Sequence, residues 1–232
     1  MKKTWCIGAF NSQFLARMER ILEIYARKYD SRFPVLCYDE RPCFLIGELV
    51  AGIPAKEGQI AKEHYSYEKL GSCSLLASIE PLTGQRIADV YERRRKLEFA
   101  LHFQKVAAAY REAERIIVVL DNLNTHDESA FYEAFEAEEA RRLSQKFEFV
   151  KTPKSASWLN MIEIEFSAIS RQCLDRRIAT KEKLEKEVLT IVKEREEKKI
   201  KIDWQFSIEK ARTKLNRHYK GVNAANTKYQ ET

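Results

Sequence analysis

The chain has 232 residues, of which 44% are hydrophobic and 11% aromatic, a composition typical of a folded domain and not of a disordered segment. Its net charge of +6 permits a polyanionic partner and weakly disfavours an acidic one. No apolar run approaches the ~18 residues that cross a bilayer, and the first apolar stretch stops at Asn11. We therefore expect a cytoplasmic protein with neither a membrane span nor a signal peptide.

Cysteine usage points to the same compartment. The five cysteines are an odd number, and no two of them have the Cys-x-x-Cys spacing of a zinc or redox site. This pattern predicts buried, reduced thiols and no disulfide framework.

The chain opens with apolar residues at helical spacing, which predict an amphipathic helix over residues 10–28. A proline begins the first predicted strand, over 34–39, and Asp39 ends it. Residues 47–62 hold three glycines and a proline, which predict a loop or a long hairpin excursion.

The next two strands are predicted over 74–79 and 86–91, joined as a hairpin by a turn that contains proline and glycine. A helix is predicted to follow over 96–113. Its apolar residues predict a core-facing side that includes Leu97 and Leu101.

An unbroken, β-branched run at 116–120 predicts a buried strand in a sheet that is covered on both faces. The chain turns polar at Asp121, so this carboxylate lies at the carboxyl end of a central strand, the edge where ligands bind in open α/β sheets. An acidic helix is predicted over 127–140, a fifth strand over 147–150 and another helix over 160–174.

Two more helices are predicted over 180–201 and 204–219. Three strands in a meander, followed by two strands reached through helical crossovers, predict an α/β protein with a mixed five-stranded sheet flanked by helices. This is the order of the ribonuclease H-like fold. We divide the chain into a helical lead-in (1–30), a ribonuclease H-like domain (31–178) and a helical extension (179–232).

Three carboxylates are expected to meet at one edge of this sheet. Asp39 and Asp121 close neighbouring strands, and Glu163 lies in the first turn of the helix after the fifth strand. The alternatives are ordinary turns for the aspartates and, for Glu163, a capping box with Asn160. Glu165 points ~200° away from Glu163 around the helix, and we expect it to be solvated and not a ligand.

Carboxylates this close together repel one another unless a cation lies between them. Mg²⁺ prefers oxygen ligands and often takes only one or two protein carboxylates, with water and phosphate completing its octahedron. Two such ions about 3.5–4 Å apart activate the attacking oxygen and stabilise the leaving oxygen of a phosphoryl displacement. The trio therefore predicts a site for Mg²⁺ or Mn²⁺ that holds two ions.

The segments around these carboxylates carry a family resemblance. Residues 119–126 and 152–163 together resemble the catalytic core of insertion-sequence DDE transposases of the mariner superfamily, in the branch named IS six-thirty. Residues 37–42 resemble the first catalytic strand of that family. Shorter segments that resemble sequence motifs of this family lie at 80–84, 92–94 and 170–177.

The resemblance implies a metal-dependent transposase core in which Asp39, Asp121 and Glu163 bind the metal ions and carry catalysis. Such enzymes hydrolyse a phosphodiester at the transposon end and then join the freed 3′-hydroxyl to target DNA. Residues implied to surround the metal ligands or to contact DNA are Asn122, Asn124, His126, Trp158 and Asn160. For His126 and Trp158 we favour the alternative role of packing in the core.

The implied partners are DNA, at transposon ends and at the target, and a second copy of the chain on paired ends. The densest basic groups are candidate DNA contacts, with solvated helix ends as the alternative; they are Arg93, Arg94, Arg171, Arg176 and Arg177. Family members usually carry an amino-terminal helix-turn-helix that recognises the inverted repeat. Because this chain begins just before the core, we expect that region to be absent or supplied by a separate polypeptide.

Two other functions stay open at this point. A nuclease of the same fold, such as a structure-selective resolvase, would cleave DNA without joining strands. An inactive, truncated remnant would bind DNA or a partner subunit without any need to bind metal ions.

Overall fold

The computed structural model describes residues 10–62, 64–123 and 126–226. A five-stranded sheet lies at the centre, and helices cover both of its faces. The strands are β1 (Val35–Glu48), β2 (Tyr67–Ile79), β3 (Arg86–Tyr91), β4 (Ile116–Leu120) and β5 (Phe147–Lys151). The helices are α1 (Ser12–Tyr25), α2 (Lys96–Ala109), α3 (Ser129–Ala134), α4 (Ala137–Lys146), α5 (Ile162–Ile169), α6 (Lys181–Glu197), α7 (Ile208–Lys214) and α8 (Asn216–Val222).

The order of strands across the sheet is β3-β2-β1-β4-β5. The strands β1, β2 and β3 form the antiparallel meander, and β4 and β5 run parallel to β1. This confirms the predicted mixed sheet and the ribonuclease H-like order. The bounds of β3 and β4 are those predicted, because alternation in β3 and an unbroken apolar run in β4 each mark a strand clearly.

Two apolar layers enclose the sheet. In β1 the side chains of Leu36 and Tyr38 point into the back layer, which α2, α3 and α4 complete. The side chain of Cys37 points the other way, into the front layer, which α1, α5 and α6 complete. The central strands are therefore buried on both faces, as parallel strands reached by crossovers require.

The predicted excursion over 47–62 is the outer part of a hairpin arm, and the strands that form this arm are longer than predicted. β1 continues past Asp39 to Glu48, and β2 begins early, at Tyr67. Pro42 is tolerated within β1 because β4 pairs with β1 only at residues 35–37, before the proline is reached. The missing N–H of Pro42 therefore interrupts no hydrogen bond between these two central strands. Residues 44–62 and 64–72 thereby form an arm that extends the β1–β2 hairpin beyond the sheet.

The predicted helix over 127–140 is divided into α3 and α4 by the extended backbone of Phe135. The predicted helix over 204–219 is likewise divided, into α7 and α8 at Leu215. The predicted helix over 160–174 consists of α5 and a π-helical turn, Ser170–Leu174.

The core-facing side of α2 differs in part from the predicted one. Its buried side chains include Phe99, His102 and Phe103, whereas Leu97 is exposed. This helix carries apolar residues around most of its circumference, so their spacing does not single out the side that faces the sheet.

The cysteines are as predicted where they are described. Cys37, Cys43, Cys73 and Cys173 are buried free thiols, and Cys6 lies outside the described residues. Burial raises the pKa of Cys37 to about 11, which keeps its thiol protonated at neutral pH. Within the described ranges, no helix has both the length and the hydrophobicity to span a membrane.

Candidate active site

The parallel register of β1 and β4 places two of the predicted carboxylates side by side. Cys37 pairs with Val119, and two residues further along the same strands come Asp39 and Asp121. Because β4 ends at Leu120, Asp121 lies at the carboxyl edge of the sheet, where β1 continues into the arm. Asp39 is buried and Asp121 is partly exposed.

A buried asparagine ties the start of α5 to the same edge. Asn160 donates from Nδ2 to the carbonyl oxygen of Tyr38 at 2.8 Å, one residue before Asp39. Its Oδ1 accepts from the N–H of Ile162 at 3.4 Å, at the beginning of α5. The first turn of α5, which carries Glu163, is therefore held against the end of β1.

Glu163 does not have the capping role that its spacing suggests. In a capping box its side chain would accept from the N–H of Asn160, but that N–H donates to the carbonyl oxygen of Ser157 at 2.7 Å. Glu163 is exposed at the site, so its carboxylate remains available to a ligand.

The charges of Asp121 and Glu163 reach Asp39. The pKa of Asp39 is raised from 3.8 to about 7, first by burial and then by these two negative charges. The Glu40 N–H, which donates to Oδ1 of Asp39 at 2.7 Å, and the charge of His126 oppose this rise. The three carboxylates therefore share one electrostatic environment, in which a cation competes with a proton near neutral pH.

His126 holds Asp121 from the back layer. Its Nδ1 lies 2.6 Å from Oδ1 of Asp121, and its Nε2 lies 3.4 Å from Oε2 of Glu40. The ring is buried and stacks on Phe99, with 5.1 Å between ring centroids. His126 is therefore the predicted packing residue and also a direct partner of Asp121.

The imidazole and its carboxylates stabilise one another's charges. Burial lowers the pKa of His126, but the hydrogen bonds to Asp121 and Glu40 reverse this effect and leave the pKa raised. Burial raises the pKa of Asp121, but the bond to His126 and its charge leave the pKa lowered. Asp121 is thus held in its ionised form at neutral pH.

Glu165 corrects the sequence analysis, which predicts that it is solvated. Its side chain is only 2% exposed, and both of its oxygens accept hydrogen bonds of 2.8 to 3.1 Å from the guanidinium groups of Arg86 and Arg195. Burial raises the pKa of Glu165, but the two arginines bring it below its ordinary value. Because Arg86 belongs to β3 and Arg195 to α6, this ion-pair clamp fixes α5 to both elements.

Two other predicted residues lie on the surface near the carboxylates. Trp158 is 39% exposed and rests against Phe206, with 5.7 Å between ring centroids; Phe206 itself packs against an apolar core cluster, so Trp158 covers the core from the surface and does not lie within it. Asn122 is exposed next to Asp121. Asn124 lies outside the described residues.

The five predicted DNA contacts differ in what they already bind. Arg94 Nη1 lies 3.2 Å from Oε1 of Glu40, and Arg176 pairs with Glu187. Arg177 donates to two carbonyl oxygens of the arm. The two that are exposed and carry no ion pair among the described residues are Arg93 and Arg171.

Comparison with known proteins identifies the family. Residues 34–185, well over half of the chain, match the family model described as DDE superfamily endonuclease. The chain belongs to this family. No curated protein matches the sequence of this endonuclease.

The endonuclease also shares its fold with solved mariner transposase complexes. The Mos1 strand transfer complex has a TM-score of 0.58 at 15% identity, and the match covers 99% of this chain and 66% of that chain. The pre-cleavage Mos1 transpososome has a TM-score of 0.55 at 15% identity, with 100% and 68% covered. The mariner Mos1 paired end complex with Mg has a TM-score of 0.52 at 17% identity, with 100% and 69% covered. This likeness supports the ribonuclease H-like fold.

The donor atoms of the endonuclease suit a hard divalent cation, because Asp39, Asp121 and Glu163 offer carboxylate oxygens. Among the described residues, however, no three Asp, Glu, His or Cys side chains stand in the geometry of a ready metal site. Oδ1 of Asp121 is bonded to His126, and Oδ1 of Asp39 accepts from a backbone N–H. These bonds leave Oδ2 of Asp39, Oδ2 of Asp121 and the exposed carboxylate of Glu163 for an ion.

The pKa of Asp39 predicts how stability changes with pH when no metal is present. The folded protein binds this proton more tightly than the unfolded chain, so the free energy of unfolding falls as pH rises from about 4 to about 7. Asp39→Asn removes the titration and is expected to be more stable than wild type at about pH 8 in EDTA. The increase in the free energy of unfolding of the variant is at most roughly 1.4 kcal/mol for each tenfold difference in the affinity of Asp39 for its proton between the folded and unfolded chains.

Chemical denaturation at several pH values tests this dependence on Asp39. Wild type and Asp39→Asn are compared in EDTA, so that metal binding does not contribute to the free energy of unfolding. A wild type that is the more stable protein above pH 7 would contradict the prediction.

The ion-pair clamp predicts opposite roles for two nearby glutamates. Glu165→Gln leaves two buried arginines without their carboxylate, so we expect the free energy of unfolding to fall by about 3 kcal/mol. The matched control Glu163→Gln, an exposed residue on the same helix, is expected to stay within about 0.5 kcal/mol of wild type. Urea denaturation of the two variants makes the comparison, and equal stabilities would refute the clamp.

Proposed function

We propose that this endonuclease is the catalytic core of a DNA transposase of the mariner type, and that residues 31–178 form its catalytic unit. The observation that supports the proposal most is that the charges of Asp121 and Glu163, which come from two other elements, both act on the buried Asp39 at the carboxyl edge of β1 and β4. Membership of the DDE endonuclease family and the likeness to transposases solved in DNA complexes support the same reaction class.

The proposed cofactor is Mg²⁺ or Mn²⁺, bound as two ions by Asp39, Asp121 and Glu163. Related structures described as Mos1 paired end complexes with Mn and with Mg support a divalent ion. When bound, such ions activate the attacking oxygen and stabilise the leaving oxygen of a phosphodiester. The raised pKa of Asp39 supports a ligand role, because a bound cation offsets both the burial and the neighbouring negative charges that drive this carboxyl toward its protonated form.

Of the residues around the proposed ligands, His126 and Asn160 are proposed to hold the ligands in position. Asn122, Asn124 and Trp158 are proposed to contact DNA. His126 bonds one oxygen of Asp121, which leaves the other oxygen for an ion. Asn160 sets the distance between the first turn of α5 and β1. The exposed ring of Trp158 is free to stack on a base.

The proposed DNA contacts are the five arginines already named, of which Arg94 lies beside the site through its contact with Glu40. Arg93 and Arg171 are exposed and free to neutralise phosphates, and Arg94 is exposed although it pairs with Glu40. Arg176 and Arg177 remain candidates that would have to leave Glu187 or the arm. The net charge of +6 supports a polyanionic partner.

Strand cleavage by wild type and Asp121→Asn tests the proposed function. Wild type is expected to nick supercoiled plasmid DNA in Mg²⁺ or Mn²⁺ and not in EDTA. Asp121→Asn is expected to lose nicking even at saturating Mg²⁺, because a ligand carboxylate is removed, while its circular dichroism and much of its DNA affinity remain. Retained nicking by this variant would refute the assignment of Asp121.

The products distinguish the remaining functions. Joined strands on a substrate with transposon ends indicate a transposase, whereas cleavage without joining on DNA that lacks such ends indicates a nuclease or resolvase. DNA binding without any metal-dependent cleavage indicates an inactive remnant. Because the chain spans about two thirds of each Mos1 chain, we propose that end recognition comes from a helix-turn-helix unit in the same or a separate polypeptide.

We propose that the endonuclease acts as a homodimer on DNA and that the arm supplies the contact. The arm carries large exposed apolar side chains, among them Phe44, Ile53, Ile60 and Tyr65. Apolar residues gathered on one protruding hairpin are typical of a surface that another protein covers. The relatives described as paired end complexes support a second copy as the occupant.

Light scattering of the protein with and without duplex DNA tests the dimer. Wild type is expected to bind DNA as two chains of 27.2 kDa each, and Ile60→Glu, at a side chain that is 82% exposed, is expected to bind as one. Leu189→Glu on α6 is the matched control, because it places the same charge on an exposed apolar position outside the arm. A wild-type complex with a single chain would contradict the proposal.

A further inference from the structure

A chain of polar contacts runs from the protein surface to Asp121. Arg94 Nη1 lies 3.2 Å from Oε1 of Glu40, Oε2 of Glu40 lies 3.4 Å from Nε2 of His126, and Nδ1 of His126 lies 2.6 Å from Oδ1 of Asp121. The Arg94 side chain is 54% exposed, whereas those of Glu40 and His126 are 5% and 0% exposed. The sequence alone assigns Glu40 no role.

Glu40 approaches the site from the side opposite to Asp39. Neighbouring residues of a strand face opposite sides of the sheet, so Asp39 faces the front layer and Glu40 the back layer. The ring of Tyr38, two residues before Glu40, lies in the back layer and meets the ring of His126 edge-on, with 5.3 Å between centroids. Asp39 therefore lies on the side of α5 and Glu163, and Glu40 lies behind Asp121.

We propose that Glu40 is a positioning residue, which acts through His126 to hold the Asp121 carboxylate in its metal-binding orientation. The inference rests on the proposed function of Asp121 as a metal ligand. A ligand carboxylate is typically fixed by a hydrogen bond to one oxygen, and His126 supplies that bond at Oδ1. Glu40 anchors the other ring nitrogen, so the imidazole is held at both ends and cannot tilt away from Asp121.

The burial of each side chain indicates how much it contributes to this series of polar contacts. Exposed ion pairs contribute little because water and salt screen them, so the half-exposed Arg94 is a minor anchor. The contact between Glu40 and His126 is long at 3.4 Å, but both side chains are buried, where a polar atom left without a partner is costly. Stacking on Phe99 and contact with Tyr38 leave the ring little room to find another acceptor.

Equilibrium binding of Mn²⁺ to the DNA-free chain, followed by the EPR signal of the free ion, tests the proposal at one fixed pH. Glu40→Leu keeps the side-chain volume but removes the acceptor, and it is expected to weaken Mn²⁺ affinity by about tenfold, the lower end of the range for residues behind metal ligands. Glu40→Gln retains an acceptor oxygen and is expected to recover affinity to within about threefold of wild type.

A second carboxylate provides the matched control. Glu80 is also buried, but it follows β2 and bonds Thr83 and Tyr110, at the end of the hairpin away from the arm. Glu80→Leu removes the same charge and a similar volume, and it is expected to bind Mn²⁺ within about twofold of wild type. Thermal melts of all variants separate loss of stability from loss of affinity.

The route through His126 has its own test. His126→Asn keeps a donor near Asp121 but has no atom that reaches Glu40, so adding Glu40→Leu to this variant is expected to change Mn²⁺ affinity by less than about twofold. Full additivity of the two changes would overturn the proposed route.

Failure of the inference and failure of the proposed function give different results. If Asp121→Asn loses Mn²⁺ binding while Glu40→Leu binds as wild type does, the positioning role is overturned and the metal site stands. An equal loss in Glu80→Leu also overturns it, because the effect is then one of charge alone. If Asp121→Asn binds Mn²⁺ as wild type does, the metal site is wrong and the positioning role falls with it.

Discussion

The burial of Asp39 beside the negative charges of Asp121 and Glu163 is the constraint on which the rest of this structure depends. Asp39 and Asp121 are brought together by the parallel register of β1 and β4, and α5 adds Glu163. Ionised carboxylates out of water are unfavourable unless they are paired or hydrogen-bonded, and the pKa of about 7 for Asp39 reflects that cost. The fold holds this cluster in place with bonds from Asn160 and His126.

The ion-pair clamp and the candidate ligand lie on one short helix with opposite electrostatics. Glu165 points inward and is neutralised by two arginines, which attach α5 to β3 and α6. Glu163 is exposed, and its charge acts on Asp39. The two glutamates are ~200° apart around the helix, which separates the buried ion-pair clamp from the proposed metal ligand.

The sequence predicts much of the fold because its strongest signals are local. The run of β4 and its polar end at Asp121 need no knowledge of distant residues, and the order of elements then implies that β1 and β4 are neighbours. The burial of Glu165 could not be predicted, since its partners are 79 and 30 residues away in the chain. The surface on which Trp158 rests could not be predicted either, since Phe206 comes from a distant segment. The continuation of β1 through Pro42 depends on where β4 stops, a property of the assembled sheet.

The arm is attached to the segment that follows α5 and not only to its own strands. Arg177 donates to the carbonyl oxygens of His64 and Ser66, and the N–H of Ile46 donates to the carbonyl oxygen of Ile178 at 2.8 Å. Both contacts lie just beyond the π-helical turn that extends α5. The hairpin arm is therefore linked by hydrogen bonds to the far end of the helix that carries Glu163, while the ion-pair clamp fixes the near end of that helix.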